Sequence, residues 1–453
     1  MQIKIYPTMI CSGINPLAKL FSYIGCFAVF MLFLSCEKNI APLSEYTRVF
    51  GGSKDDFGSC IVPSGDGGFI VCGRSSSNDG DITGNHGNSD AFIVKIDAEG
   101  NKLWQKCYGG SEDDEANCVV AASDGGFVFA GYTNSNDQFV SKRHGGSEFW
   151  VFKTDKNGNL LWQKSFGGDG NEVAFSITET ADKGFALTGY AYAASSISGN
   201  GDVGTIKGVR DIWVTKISDS GSLLWQTTIG GFGDEYATSI ITAANGNLMI
   251  VGQTSSTDGY ATGNHGSSDA IITALTDNGV LAWSLPLGGA GQDIATDIVE
   301  TGNNSFVVIG LTNSHDGNIG SQKVKSNDAF IVKINADKQI EWVNTFGGSG
   351  NDGANSLIAA SDGGFVFSGQ VSSNDGDVLY TKGNLDLWGF KVDSKGNKLW
   401  SKTIGGSVDD YGRGIAEVPG KGYLAVGSTL SKDYDASQNH GATDAIFSLF
   451  GNN

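Results

Sequence analysis

Basic residues are scarce in this chain. Its 453 residues hold 30 Lys and Arg against 49 Asp and Glu, a formal charge of −19. A nucleic-acid partner needs a basic patch facing its phosphates, so this balance disfavours that class. Cations, basic proteins and plain solubility remain compatible with it. Proline is scarce too, with 6 residues, and only 17% of the chain is charged. Beyond Cys36 no window sustains a 3.6-residue apolar period, so helices are expected to be nearly absent. Catalytic motifs are also missing: no HExxH, no phosphate loop and no Ser-His-Asp order stands in context. Cysteine is limited to 7 residues. The four that follow Cys36 are Cys60, Cys72, Cys107 and Cys118, and their spacing matches no standard zinc pattern.

Glycine is abundant, at 67 residues, alongside 25 Phe, 13 Tyr and 9 Trp. Disorder goes with few aromatics, so these glycines read as turn residues between many short strands. They also recur. A double glycine stands at 51–52, 109–110, 167–168, 230–231, 288–289, 347–348 and 405–406, with spacings of 58, 58, 63, 58, 59 and 58. Six tryptophans keep the same beat: Trp104, Trp162, Trp225, Trp283, Trp342 and Trp400. Repeats begin near 46, 105, 163, 226, 284, 343 and 401.

Each repeat reads as four short strands bounded by turn clusters. In the first, "SCIVPS" (59–64), "FIVCGRS" (69–75), "DAFIVKID" (90–97) and "KLWQKCYGG" (102–110) are the strands. The turn "GDGG" (65–68), a long polar loop (76–89) and the turn "AEGN" (98–101) join them. Seven four-stranded units predict an all-β fold, a seven-bladed β-propeller over residues 46–453. The opening "YTRVFGG" (46–52) matches a fourth strand, and the chain ends on a third, "DAIFSLF" (444–450). Residues 46–50 are therefore expected to complete the last blade as its outermost strand, closing the ring and removing open sheet edges.

The N-terminus differs in character. "LFSYIGCFAVFMLFLSC" (20–36) is an apolar run in a stretch with Lys4 and Lys19 and no acid. Its end, "LFLSC", is similar to the lipobox of bacterial lipoproteins, whose cysteine is lipidated. That resemblance implies a signal peptide over 1–35, a lipid on Cys36 and a short tether over 36–45. An ordinary signal peptide or an uncleaved anchor are the other readings. "DAEGNKLW" (97–104), "DKNGNLLW" (155–162) and "DSKGNKLW" (393–400) resemble the tryptophan-docking turn of quinoprotein-type propellers. The whole repeat is similar to the β-propeller-repeat lipoproteins common in Bacteroidetes. This resemblance implies an envelope-associated, non-enzymatic protein, expected at the outer membrane and touching it through the lipid alone. It supplies no catalytic residues.

Strand alternation puts the long loops and the corners after the double glycines on one face. An acid recurs there in every repeat, at Asp56, Asp114, Glu172, Glu235, Asp293, Asp352 and Asp410. A second precedes each third strand, at Asp90, Glu148, Asp211, Asp269, Asp328, Asp386 and Asp444. Sevenfold recurrence favours a turn-capping role. The other reading is a Ca²⁺ site, for which "SNDGD" offers Asp79 and Asp81 or Asp375 and Asp377. No other cofactor is expected. Departures from the repeat are better pointers to a ligand. The third repeat's loop carries Tyr190, Tyr192, Lys207 and Arg210, and the second's carries Phe139, Lys142 and Arg143. Export permits disulfides, and Cys60 and Cys72 flank a hairpin turn, so a Cys60–Cys72 bridge is one expectation. The leading functional reading is a protein- or glycan-binding module, and the alternative is a hydrolase or lyase acting on polysaccharide. An enzyme predicts a deep central pocket with non-repeating polar residues, whereas a scaffold predicts an open face of repeating ones.

Overall fold

The computed structural model describes residues 45–451, apart from 141–142, 193–200, 261–262 and 322. The expected signal peptide, Cys36, nearly all of the tether and Lys142 lie outside the described residues. Within them the chain forms seven four-stranded antiparallel sheets, in a seven-bladed β-propeller. A three-residue 3-10 turn, Tyr434–Ala436, is the helical content among the described residues.

Blade one runs outward as Asp56–Pro63, Phe69–Ser75, Asp90–Ile96 and Lys102–Tyr108. The first, inner strand of each blade packs against the inner strands of both neighbours, so these seven strands line the axis. The inner strand starts three residues earlier than the apolar pattern indicates. Asp56 is already in register with Ser75, because the acid is part of the ladder rather than of the loop before it. Third strands such as "DAFIVKI" are buried along their whole length, since neighbouring blades cover both faces. The core is therefore divided among the junctions. One cluster joins Phe50, Phe447 and Val426 of the last blade to Ile61, Phe69 and Phe92 of the first. Each such side chain contributes about 1.5–3 kcal/mol on burial.

In blades one, two and six the turn after the third strand is set by an aspartate, with Ser218, Thr276 and Asn335 at its place in blades three to five. Asp97 Oδ1 accepts from the backbone N–H groups of Glu99 (3.0 Å) and Asn101 (2.8 Å), and Asp155 and Asp393 repeat the arrangement. The glycine in this turn has a positive φ, +73° at Gly158, and a Cβ there would come within 2.8 Å of the Trp104 ring. The tryptophan of one blade thus docks under a turn of the next, where glycine takes the positive φ without strain; in blade five Lys338 takes it at +66°, with its ammonium over the Trp283 ring. Trp162 and Trp225 also donate their indole N–H to the turn carbonyls of Asp219 (3.1 Å) and Asp277 (2.9 Å).

The ring closes as expected. Tyr46–Phe50 pairs antiparallel with Asp444–Phe450, from Tyr46 opposite Leu449 to Phe50 opposite Ala445. It supplies the outermost strand of blade seven. Tyr46 stands where the other outer strands carry tryptophan. Its ring lies against Gly100, and its hydroxyl donates to Ala98 O at 3.5 Å.

Candidate functional site

The repeating acid after each double glycine caps a corner. Asp56 Oδ2 accepts from Gly52 N and Ser77 Oγ, both at 2.8 Å, and Oδ1 accepts from Ser75 Oγ at 2.5 Å. Asp114 and Asp293 hold the same partners in their blades. The first glycine of each pair has a different task. A methyl on Gly109 would lie 2.7 Å from both Asp90 Oδ1 and Asp114 Oδ2. Gly288 and Gly347 are flanked in the same way by Asp269 with Asp293 and by Asp328 with Asp352. The acid before one blade's third strand and the capping acid of the next blade are therefore buried side by side. The histidines serve the first member of these pairs: His86, His144, His265 and His440 each direct Nδ1 at the acid four residues on, 2.8 Å for His265 and Asp269.

The calcium candidates are already engaged. Asp79 accepts from Ser53 N (2.7 Å) and Asp375 from Ser349 N (2.6 Å). Asp81 pairs with Lys102 and Asp377 with Lys398, both at 2.8 Å. Calcium needs six to eight oxygens, and in this structure these carboxylates are turned to N–H groups and ammoniums. Among the described residues no three His, Cys, Asp or Glu side chains converge to hold a metal.

A different site opens on the axis. A pocket of about 540 Å³ is lined by inner strands of all seven blades. Three positions on each inner strand matter: the residue after the repeating acid, the third after it, and the fourth. A bulge in every inner strand lies between the second and fourth residues after that acid, bringing the third and fourth to the pocket together. These positions do not repeat. The first places Phe57, Glu115 and Tyr236 on the wall, the second Ser59, Asn117, Phe175, Thr238, Thr296, Asn355 and Arg413. The third places Cys60, Cys118, Ser176, Ser239, Asp297 and Ser356, and Arg74 joins from the second strand of blade one.

The mouth is polar and aromatic. Arg74 lies over the Phe57 ring at 4.7 Å, and its Nη1 is 3.7 Å from Glu115. Burial raises the Glu115 carboxyl, although the Arg74 and Arg413 guanidiniums and the Tyr132 hydroxyl pull it back. Deeper in, Asp297 accepts from Ser239 Oγ (2.8 Å) and from the backbone of Leu357 (2.7 Å) and Ile298 (2.9 Å). Burial pushes its carboxyl up to about 6. Several second-position side chains stitch blade to blade: Asn117 donates to Ala174 O and Thr238 to Ala295 O, both at 2.8 Å, and Thr296 to Ala354 O at 2.7 Å. Phe175 and Arg413 replace that stitching with a ring and a guanidinium, freeing them for other work.

Of the residues expected in the long loops, Tyr190 and Tyr192 belong instead to the second strand of blade three and Arg210 to its third, because the ladder extends to Tyr192 opposite Arg210. Tyr190 and Arg210 come together: Arg210 stacks between Tyr190 (5.0 Å) and Tyr236 (5.1 Å) and holds Asp234 with two bonds of 2.7 and 2.6 Å. Phe175 packs against both tyrosines, so this cluster continues the pocket wall. Tyr192 is exposed, and Lys207 lies over the Tyr260 ring at 5.5 Å. Phe139 packs on His86 and Tyr108, and Arg143 donates to Asn134 O. The repeat comparison passed over Arg74, Glu115, Tyr236, Asp297 and Arg413. Glu115, Tyr236, Asp297 and Arg413 did carry a signal, as variation within the inner strands a few residues after the recurring acid; Arg74, on a second strand, lies outside that pattern.

All four described cysteines are free thiols. Cys60 and Cys72 do stand opposite each other across the ladder, but no bridge joins them. The Cys60 thiol lies against Cys72 and also meets Cys118 of the next blade, with sulfurs 3.8 Å apart. Cys72 is fully buried in the junction core, whereas Cys60 fronts the pocket.

No family model matches the chain. The regulatory protein FlaEY of Caulobacter vibrioides is 25% identical over 231 residues, covering 47% of this chain and 23% of that protein. The chain thus spans less than a quarter of the length of that relative. Among solved structures, Sqt1 from Chaetomium thermophilum is similar with 11% identity, coverage of 84% and 83%, and a TM-score of 0.42. Drosophila Plexin A, solved with Semaphorin 1b, gives 8% identity, coverage of 89% and 86%, and a TM-score of 0.48. An ulvan lyase of polysaccharide lyase family PL25 gives 9% identity, coverage of 89% and 96%, and a TM-score of 0.47.

Proposed function

We propose that this protein is a glycan-binding module that takes a sugar unit into the axial pocket, held at the cell envelope by a lipid on Cys36. One observation carries the binding site: the pocket is lined where the seven repeats disagree. A wall that served only the fold would repeat, as the capping acids do. The volume suits a small ligand, and the lining combines aromatic faces with a few polar groups. Phe57, Phe175 and Tyr236 offer rings to a sugar face, while Arg74, Glu115 and Asn117 offer donors and acceptors to its hydroxyls.

Glycan-array screening followed by calorimetric titration tests this. Tyr236→Ala and Arg413→Ala are expected to weaken binding at least about tenfold, the loss of one good contact. Binding that both variants leave intact places the site elsewhere. For the anchor, mass analysis of the mature N-terminus is expected to show acylated Cys36, and any other first residue overturns it.

A second reading has one observation in its favour. Glu115 and Asp297 share the pocket, and burial raises both carboxyls, as general acids require. A polysaccharide hydrolase or lyase would then release new chain ends from acidic polysaccharides, and Glu115→Gln would abolish the release. Tight binding with no new ends leaves the binding module as the function.

A further inference from the structure

Neighbouring blades share no continuous ladder and meet by backbone bonds at the corners, such as Asp114 N to Ser89 O at 2.8 Å, while side chains add links along the inner strands. At the fourth residue after the capping acid, oxygens make the link. Ile240 N donates to Ser176 Oγ at 3.2 Å, Ser239 Oγ to Asp297 at 2.8 Å, and Leu357 N to Asp297 at 2.7 Å. Blades one and two place sulfur at this position, in Cys60 and Cys118. A thiol is a weak hydrogen-bonding group, so as thiols these two make a poor link. Their sulfurs nonetheless face each other at 3.8 Å.

We propose that Cys60 and Cys118 form a disulfide that joins blade one to blade two in the wall of the axial pocket. Each thiol gives up its proton, the pair gives up two electrons, and one S–S bond forms. A disulfide oxidant, either oxidised glutathione or an exchange protein, accepts the electrons and leaves as two thiols after a mixed-disulfide step. The sulfurs close to about 2.05 Å, the length of an S–S bond. Both side chains border the pocket, so side-chain rotation toward it is open and the oxidant has a way in. Cys72 and Cys107 are buried and do not line this pocket. Cys72 also lies against Cys60, but it is buried away from the pocket, so the pair that an oxidant in the pocket reaches is Cys60 with Cys118.

The full chain, purified reduced and then oxidised with glutathione disulfide, tests this. Remaining thiols are alkylated in denaturant, and the protein is digested without reductant. The expected product is a peptide holding Cys60 joined to one holding Cys118, with Cys72 and Cys107 alkylated. Cys72→Ser is expected to retain that product, and Cys118→Ser to lose it. A Cys60–Cys72 linked peptide, or four alkylated thiols after oxidation, overturns the proposal.

Discussion

At each blade corner two carboxylates are buried side by side, and two such groups do not ionise together cheaply. Burial raises the Asp90 carboxyl, with the Asp114 charge adding to the effect. The same causes lift Glu172 to about 8, Asp328 to about 7 and Asp386 to about 6. These groups hold protons in the folded chain that the unfolded chain releases near pH 4. Their contribution is complete below that pH and is lost as pH rises through about 6 to 8. The urea midpoint is expected to fall across this window, and a flat profile contradicts the pairing. Asp328→Asn, which is neutral throughout, is expected to raise the midpoint above wild type at about pH 9. The exposed acids held low by lysines, Asp66 by Lys95 and Asp362 by Lys391, act in the opposite direction. Their water exposure keeps that contribution small. Removing a capping acid is a different experiment. Asp114→Ala strands the Gly110 N–H and the Thr133 and Ser135 hydroxyls, and a loss of about 2–4 kcal/mol in denaturant unfolding is expected.

At the scale of the strand and turn, the repeating unit is a device for docking one blade on the next. Gly158→Ala meets both a positive φ and the Trp104 ring, so a loss of about 1–3 kcal/mol is expected in the same measurement. These elements were readable because turn chemistry is local: "AEGN" and "GDGG" announce themselves wherever they stand. The start of the inner strand was less readable, since the ladder partner of Asp56 is Ser75, beyond the next hairpin. The site was the least readable part. Tyr190 and Arg210 stood out as loop anomalies, but their meeting with Tyr236 depends on the next blade's inner strand. Phe139 had the same composition signal and serves packing on Tyr108 instead. For the same reason only the ladder partner of Cys60, Cys72, was readable from the repeat, while the second sulfur it meets belongs to the adjacent blade.

For the whole molecule, closure by Tyr46–Phe50 decides whether blade seven has an open edge. Removing residues up to Phe50 is expected to lower the melting temperature and to produce concentration-dependent oligomers in sedimentation, through pairing at the exposed Asp444–Phe450 strand. A monomer of unchanged melting temperature would show that the strand is dispensable. The closing contact Thr47···Ser448 spans 401 residues of chain. That distance has a temporal side. The first strand of the ring to be made pairs with the last, so the ring stays open until blade seven has been made. A contact of such long range forms slowly. Until the last strand is made, the final lock has no partner, and the earlier blades wait with the seam between blade seven and blade one unmade.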